Sequence, residues 1–329
     1  MPDWCQRNVA SWVRMHDSLW TVRVLDNKPD SPNYVLKILP ASQFPDCFVD
    51  GTMHGPYVPQ HSSDFVRGVA LSLHGGVWLD VGCILCMNLD WICWDTITSA
   101  TSPFRAAVPL MQGAIISNAV IACRKGDPFI RRWLGLFTQV WKGQTSCKGL
   151  MEHPALAYEQ DPTTTKLFDA AIQAGFKVTR ESLFEYLTQI MCWERLTQLD
   201  EEDGDFNPSR YWQDSIMKLQ GPKELWGMEA YLPTSAGAEQ FELLTTPLDA
   251  DPSSEQYQKA EGLVFRLLTE SCMQKVGHAP GLTKTKQLGV VLDEDVTRIG
   301  DAGEGTFAAL LRYGAENFVQ TRKGPSLVE

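Results

Sequence analysis

A chain of 329 residues with 44% hydrophobic and 10% aromatic side chains can bury one large core or two modest ones. Its formal charge of −11 argues against broad nucleic-acid binding, where Lys and Arg must neutralise phosphates, although Arg124, Lys125, Arg131 and Arg132 form a local basic cluster. No run reaches the roughly 20 apolar residues of a membrane span, and MPDWCQRNVASWVRMHD holds no apolar leader core, so a cytoplasmic protein with nine reduced cysteines is expected.

In chain order, residues 3–16 read as a helix and 21–25 (TVRVL) as a strand, followed by an Asp/Asn/Pro turn over 26–32. The Gly/Pro/His-rich segment 51–61 reads as a loop at a cleft rim, with His54 and His61 expected at the surface. Residues 62–74 carry apolar side chains at 65, 66, 69, 70 and 73, a helical spacing, with Ser62 or Ser63 as N-cap and Asp64 in the first turn. Asp64 and Arg67, three apart, share a face of that helix. Gly75-Gly76 ends it, and Val77-Trp78-Leu79 is a short strand that delivers Asp80 to its C-terminal end, where open α/β sheets bind ligands. Cys83 and Cys86 have CxxC spacing without a second pair, which favours buried thiols over zinc or redox chemistry.

Strands are expected at 106–111 and within 113–123, then a helix over 127–141 with Asp127 at its N-cap and Pro128 at its first position. Glu152-His153-Pro154 is either an acid–base pair or the start of a helix. The remainder reads as mostly helical, at 163–175, 181–197, 209–219, 255–275 and 304–319, with an acidic turn at 199–205. A polar linker is expected at 243–256 and a Gly/Lys-rich loop at 278–289.

Ser63-Asp64, Arg67 and the run HGGVWLDVGCIL, with LDWICWD after it, resemble the sugar-nucleotide region of GT-A glycosyltransferases that carry a DxD motif. More narrowly, they are similar to the fungal capsular-polysaccharide-synthesis branch of that family over about residues 8–158. The resemblance implies an α/β, GT-A-like Rossmann-type nucleotide-sugar fold over residues 1–160, with a largely helical C-terminal half (161–329) that closes over the acceptor. It implies that Asp64 and Arg67 hold donor-sugar hydroxyls, and that Asp80 lies by the ribose and a metal-bound diphosphate. Trp78, Asn118 and His153 are further candidates for substrate contact.

Two features depart from the family pattern. The triplet is Asp80-Val81-Gly82, so the second acid of DxD is missing, and Asp80 would hold manganese or magnesium alone, through water, or with Asn88, Asp90 or Asp95. Lys284 or Lys286 could instead supply the cationic charge. The chain also starts almost at the family's first helix, so the usual first strand is expected to be lacking. The reading is therefore a glycosyltransferase that moves a sugar from a nucleotide donor to a hydroxyl acceptor, a glycan or a terpenoid-like metabolite. Alternatives are recruitment of the fold to aminoacyl-tRNA-dependent dipeptide formation, and a non-catalytic relative.

Overall fold

The computed structural model describes residues 1–16, 19–111, 113, 115–156, 168–169, 171–172, 175–200, 206–232, 236–277 and 279–328. Most of the helix expected at 163–175, and the acidic turn from 201 to 205, lie outside them.

The first helix, α1 (Asp3–His16), forms where it was expected, and α2 (Val58–His74) follows a stretch of loops and short helical turns. α2 starts four residues before Ser62, with Pro59 in its first turn, so Ser62 and Ser63 lie inside it and cap nothing. Proline at that position loses no hydrogen bond, because the first helical N–H groups have no partner in any case. His61 is consequently helical and fully buried, not at the surface, whereas His54 is exposed.

α2 passes into β1 (Gly76–Leu79) through Gly75, whose φ is +66° and whose added Cβ would stand 2.4 Å from the Lys125 backbone nitrogen. Only glycine fits both constraints. β2 (Cys83–Leu85), β3 (Ala106–Met111), β4 (Ile115–Ile116) and β5 (Val120–Cys123) follow, then α3 (Pro128–Val140). Asp127 caps α3 by accepting from the Phe129 and Ile130 amides, as its place before Pro128 suggested.

Helices α4 (Arg180–Tyr186) and α5 (Thr188–Thr197) occupy the expected 181–197 segment. The 209–219 segment divides into α6 (Pro208–Ser215) and β6 (Ile216–Gln220), and the 255–275 segment into α8 (Glu255–Glu270) and β7 (Met273–Lys275). Between them, α7 (Gly237–Thr245) takes the start of the expected linker. α9 (Leu288–Glu294) and α10 (Phe307–Asn317) complete the chain.

The main sheet runs β1-β5-β3-β4, with β6 also paired to β3. Of these pairs only β3 with β6 is parallel, so the expected Rossmann-like parallel sheet is met only at that pair. Short connections from β3 to β4 and from β4 to β5 cannot make the crossover that parallel neighbours need. The segment 21–25 finds no strand partner and carries no regular secondary structure.

Both faces of the sheet are covered. Ile121 and Cys123 join Phe65, Val69, Phe129 and Trp133 on the face under α2 and α3, while Val120 and Ala122 join Trp12, Leu85 and Met217 on the other. Successive strand residues point to opposite faces, so a doubly covered strand must be apolar throughout, as Val120–Cys123 is. A further cluster packs α7, α8, α9 and α10 against Trp4 and Cys5 of α1. All nine cysteines are free and buried, and burial pushes the Cys83 and Cys86 thiols up to about 12, so the CxxC pair serves as core.

Candidate active site

A cavity of about 1310 Å³ opens above the C-terminal end of β1. Asp64, Arg67, Trp78, Asp80 and Asn118 all line it. Asp64 and Arg67 stand one helical turn apart on the inner face of α2, and the Arg67 Nη1 donates to Asp64 Oδ1 at 2.5 Å. The Arg67 Nη2 donates to Asp80 Oδ1 at 3.1 Å, and its guanidinium lies 5.3 Å from the centre of the Trp78 ring. The Trp78 indole N–H also donates to Asp80 Oδ1, at 2.9 Å. Asn118, past the end of β4, donates to Asp64 Oδ1 at 3.2 Å.

Two residues that sequence reasoning missed complete this cluster. Gln189 of α5 accepts from Arg67 at 2.7 Å and from Asn118 at 2.9 Å, and donates to the Asp64 carbonyl at 2.6 Å. Lys275 ends β7, where the antiparallel register sets it opposite Cys83, three residues beyond Asp80. Its Nζ donates to Asp80 Oδ2 at 2.7 Å. The result is an alternating chain of charge, Asp64–Arg67–Asp80–Lys275, closed on the inner side by Gln189 and Asn118. His61 extends it inward, its Nδ1 lying 3.2 Å from Asp64 Oδ2.

Burial alone would raise the Asp80 pKa, but Lys275 and Arg67 outweigh it and hold the carboxyl at about 2. By the same balance, burial works against the charged forms of Arg67 and Lys275, and the facing carboxylates reverse it, raising both. The Arg67 Nε remains without a hydrogen-bond partner although buried. Such a chain is rigid because moving any member leaves a neighbouring charge unpaired.

A DxD-type metal site does not fit these side chains. Asp80 spends one oxygen on Arg67 and Trp78 and the other on Lys275, so an ammonium stands at its outer oxygen. A side chain grown from Gly82 would meet the Trp4 ring at 3.6 Å and Val276 at 3.9 Å. Asn88 and Asp90 are engaged elsewhere: Asn88 caps the Asp90 amide at 2.6 Å, and Asp90 accepts from the Trp20 indole at 3.1 Å. Neither they nor Asp95 lines the cavity, and among the described residues no three His, Cys, Asp or Glu side chains could share an ion.

Other candidates fall away from this centre. His153 lies off the cavity, half-buried, its Nδ1 accepting from the Ala155 amide at 3.2 Å in a local turn. Lys286 lines the cavity but pairs with Glu294 at 2.7 Å, and Lys284 is not on its wall. Of the tryptophans near the motif only Trp78 reaches the cavity; Trp94 packs on Trp20, and Trp91 is surface-exposed. Arg124 of the basic cluster is committed to the Ile97 and Ser99 carbonyls, and Arg132 stacks on Phe206.

α1 braces the loop after Asp80. Asn8 donates to the Val81 carbonyl at 2.8 Å, and Trp12 to the Cys83 carbonyl at 3.1 Å. Trp4, whose indole donates to Asp293 at 2.8 Å, closes the wall beside Gly82 and Gly289.

Three similar fungal proteins decide the assignment. The chain is 41% identical to the probable glycosyltransferase FCK3 of Fusarium pseudograminearum, across 100% of its own length and 83% of the relative's. It is 35% identical to the O-glycosyltransferase braB of Annulohypoxylon truncatum, over 98% of this chain and 78% of that one. It is also 34% identical to the glycosyltransferase afumC of Aspergillus fumigatus, over 98% and 82%. The chain belongs to this family of fungal glycosyltransferases. It is accordingly a glycosyltransferase, an enzyme that moves a sugar from a donor to an acceptor. No family model and no solved structure matches it. Among the described residues no helix is long and apolar enough to cross a membrane.

Proposed function

We propose that the Asp64–Arg67–Asp80–Lys275 chain is the donor site of a GT-A-like glycosyltransferase, and that the acceptor is a small hydroxylated metabolite. The convergence of Asp64, Arg67 and Asn118 on one point of the cavity wall, with the buried Gln189 bonded behind them, carries this reading. A sugar presents several hydroxyls, each both donor and acceptor. A rigid set of carboxylate, guanidinium and amide groups matches that pattern. Asp80 is the ribose-side carboxylate. The leaving diphosphate develops negative charge as the glycosidic bond breaks, and a fixed cation beside it lowers that barrier. Lys275 and Arg67 are the cations assigned that role on this reading, in a cytoplasmic enzyme of secondary metabolism.

Thermal shift against a panel of nucleotide sugars tests the donor assignment. Binding to the native state raises stability by RT ln(1 + [L]/Kd), so a donor at a hundredfold excess over Kd adds about 2.7 kcal/mol. One nucleotide sugar should stabilise the wild type and leave Arg67→Ala unmoved. A shift of equal size in both proteins would place the donor elsewhere.

A further inference from the structure

Resting on the assignment of Asp64 to the donor sugar, we infer that His61 is a positioning residue of the donor site, which fixes the Asp64 carboxylate through its Nδ1 hydrogen without meeting the ligand itself. His61, Asp64 and Arg67 follow one another at intervals of three along α2, so each stands about one turn from the next. Asp64 and Arg67 line the cavity; His61 does not, and it is fully buried. Arg67 and Asn118 both donate to Asp64 Oδ1, at 2.5 and 3.2 Å. Two donors on one oxygen leave the carboxylate free to swing about it. His61 Nδ1, 3.2 Å from Oδ2, holds the other oxygen and so sets the plane of the group. A carboxylate has about four lone-pair sites, so these bonds leave Oδ2 capacity for a sugar hydroxyl.

The imidazole is built for that single bond. Its ring meets Tyr57 and Trp141 edge to face, with centroids 6.4 and 5.2 Å away, which fixes its orientation. Asp64, paired with Arg67, is a carboxylate and can only accept, so the hydrogen stands on Nδ1. Nε2 is buried without a hydrogen-bond partner. An imidazolium would place a charged N–H there with nothing to receive it, whereas the neutral ring leaves only a lone pair. Even that lone pair costs stability, and a leucine in the same aromatic surroundings would avoid the cost. Histidine at this position gives up stability for one directed N–H, and that N–H meets a carboxylate of the cavity wall.

Calorimetric titration of the full chain with UDP-glucose, UDP-galactose, UDP-N-acetylglucosamine and GDP-mannose, each beside its free nucleoside diphosphate, tests the inference. Asp64 is assigned to the sugar and not to the diphosphate, so its support should count only when a sugar is present. His61→Leu, which keeps the apolar volume and loses the N–H, should bind the best of these nucleotide sugars about tenfold more weakly than the wild type does, and the free diphosphate equally well. It should melt within a few degrees of the wild type. His61→Asn should restore most of the sugar affinity, because the Asn side-chain nitrogen, like Nδ1, lies two bonds from Cβ. In an Asp64→Ala background, His61→Leu should cost nothing further. Wild-type affinity in His61→Leu, an equal loss for nucleotide sugar and diphosphate, or no recovery in His61→Asn would each overturn the role of His61. If Asp64→Ala still loses sugar-dependent affinity in that event, the donor site stands and only the part of His61 is lost. Wild-type affinity in Asp64→Ala, or no binding of any probe, would overturn the donor site and the inference with it.

Discussion

Lys275 and Asp80 meet at 2.7 Å although 195 residues separate them in the chain. The contact exists because β7 pairs with β2 in a register that sets Lys275 beside the loop following β1. It places an ammonium at the outer oxygen of the acid where the family pattern leads one to look for a metal. Its removal should therefore act on charge first. Lys275→Met should weaken binding of the stabilising nucleotide sugar by roughly tenfold or more, since a hydrogen bond to a charged group contributes about 1.5–3 kcal/mol. Titration by calorimetry checks it, and unchanged affinity would remove Lys275 from the donor site.

The same pair predicts a response to manganese. With Lys275 present, Asp80 has no free oxygen, and manganese should change the affinity for a nucleoside diphosphate little. In Lys275→Ala the vacated oxygen becomes a hard ligand, and manganese should tighten diphosphate binding. Paired titrations with and without the ion measure both arms. A wild type that needs manganese for binding would show that Asp80 exchanges Lys275 for metal.

Asp80 also sets an acid limb of stability. Its folded pKa of about 2 lies below the ordinary carboxylate value of 3.8, so its contribution is complete above pH ~4 and is lost as pH falls towards 2. The shift corresponds to about 2 kcal/mol. Urea unfolding of wild type and Asp80→Asn at pH 6 and at pH 2.5 should show a stability gap that narrows by about that amount in acid. A gap independent of pH would mean that the carboxylate is not held by its neighbours.

Gln189 tests the inner wall. Its amide serves Asp64, Arg67 and Asn118 at once, so Gln189→Leu removes a hydrogen bond from each of them. A single hydrogen bond contributes about 0.5–1.5 kcal/mol, and more where a charged group takes part. Chemical denaturation should register a loss of that order, together with weaker donor binding. Gln189→Glu would set a second carboxylate against Asp64 and should be worse.

Gly75 tests the turn that aims β1. With φ at +66° and the Lys125 backbone in the way of any Cβ, Gly75→Ala should destabilise by more than the roughly 1 kcal/mol of an ordinary helix-end glycine. Thermal unfolding decides, and a neutral effect would show that the turn rearranges freely.

The residues before 160 were largely legible because their signals are local. Helix spacing over α2, the glycine stop and the apolar run into Asp80 each follow from neighbours in sequence, so the meeting of Asp64, Arg67 and Asp80 could be expected. Residues 21–25 alternate like a strand, but a strand needs a partner, and sequence spacing supplies none. Lys275 was hidden for the opposite reason. Apolar spacing carries the helix pattern through 255–275, and only the pairing with β2 turns its last residues into a strand. Gln189 gives no sign in the sequence beyond being a polar residue on an otherwise apolar helix face.

The crossing from Asp80 to Lys275, and from Arg67 to Gln189 over 122 positions, has a consequence for how the protein matures. Closing so long a loop carries a large entropic penalty before any bond rewards it, so contacts of this separation form late. A nascent chain that has emerged only as far as α3 holds Asp64, Arg67 and Asp80 with two acids against one guanidinium. The missing cation, Lys275, stands 195 positions beyond Asp80 and is still to come. On the proposed donor role, competence to bind a donor would come only once Lys275 has docked on Asp80, and its appearance during refolding would time that contact.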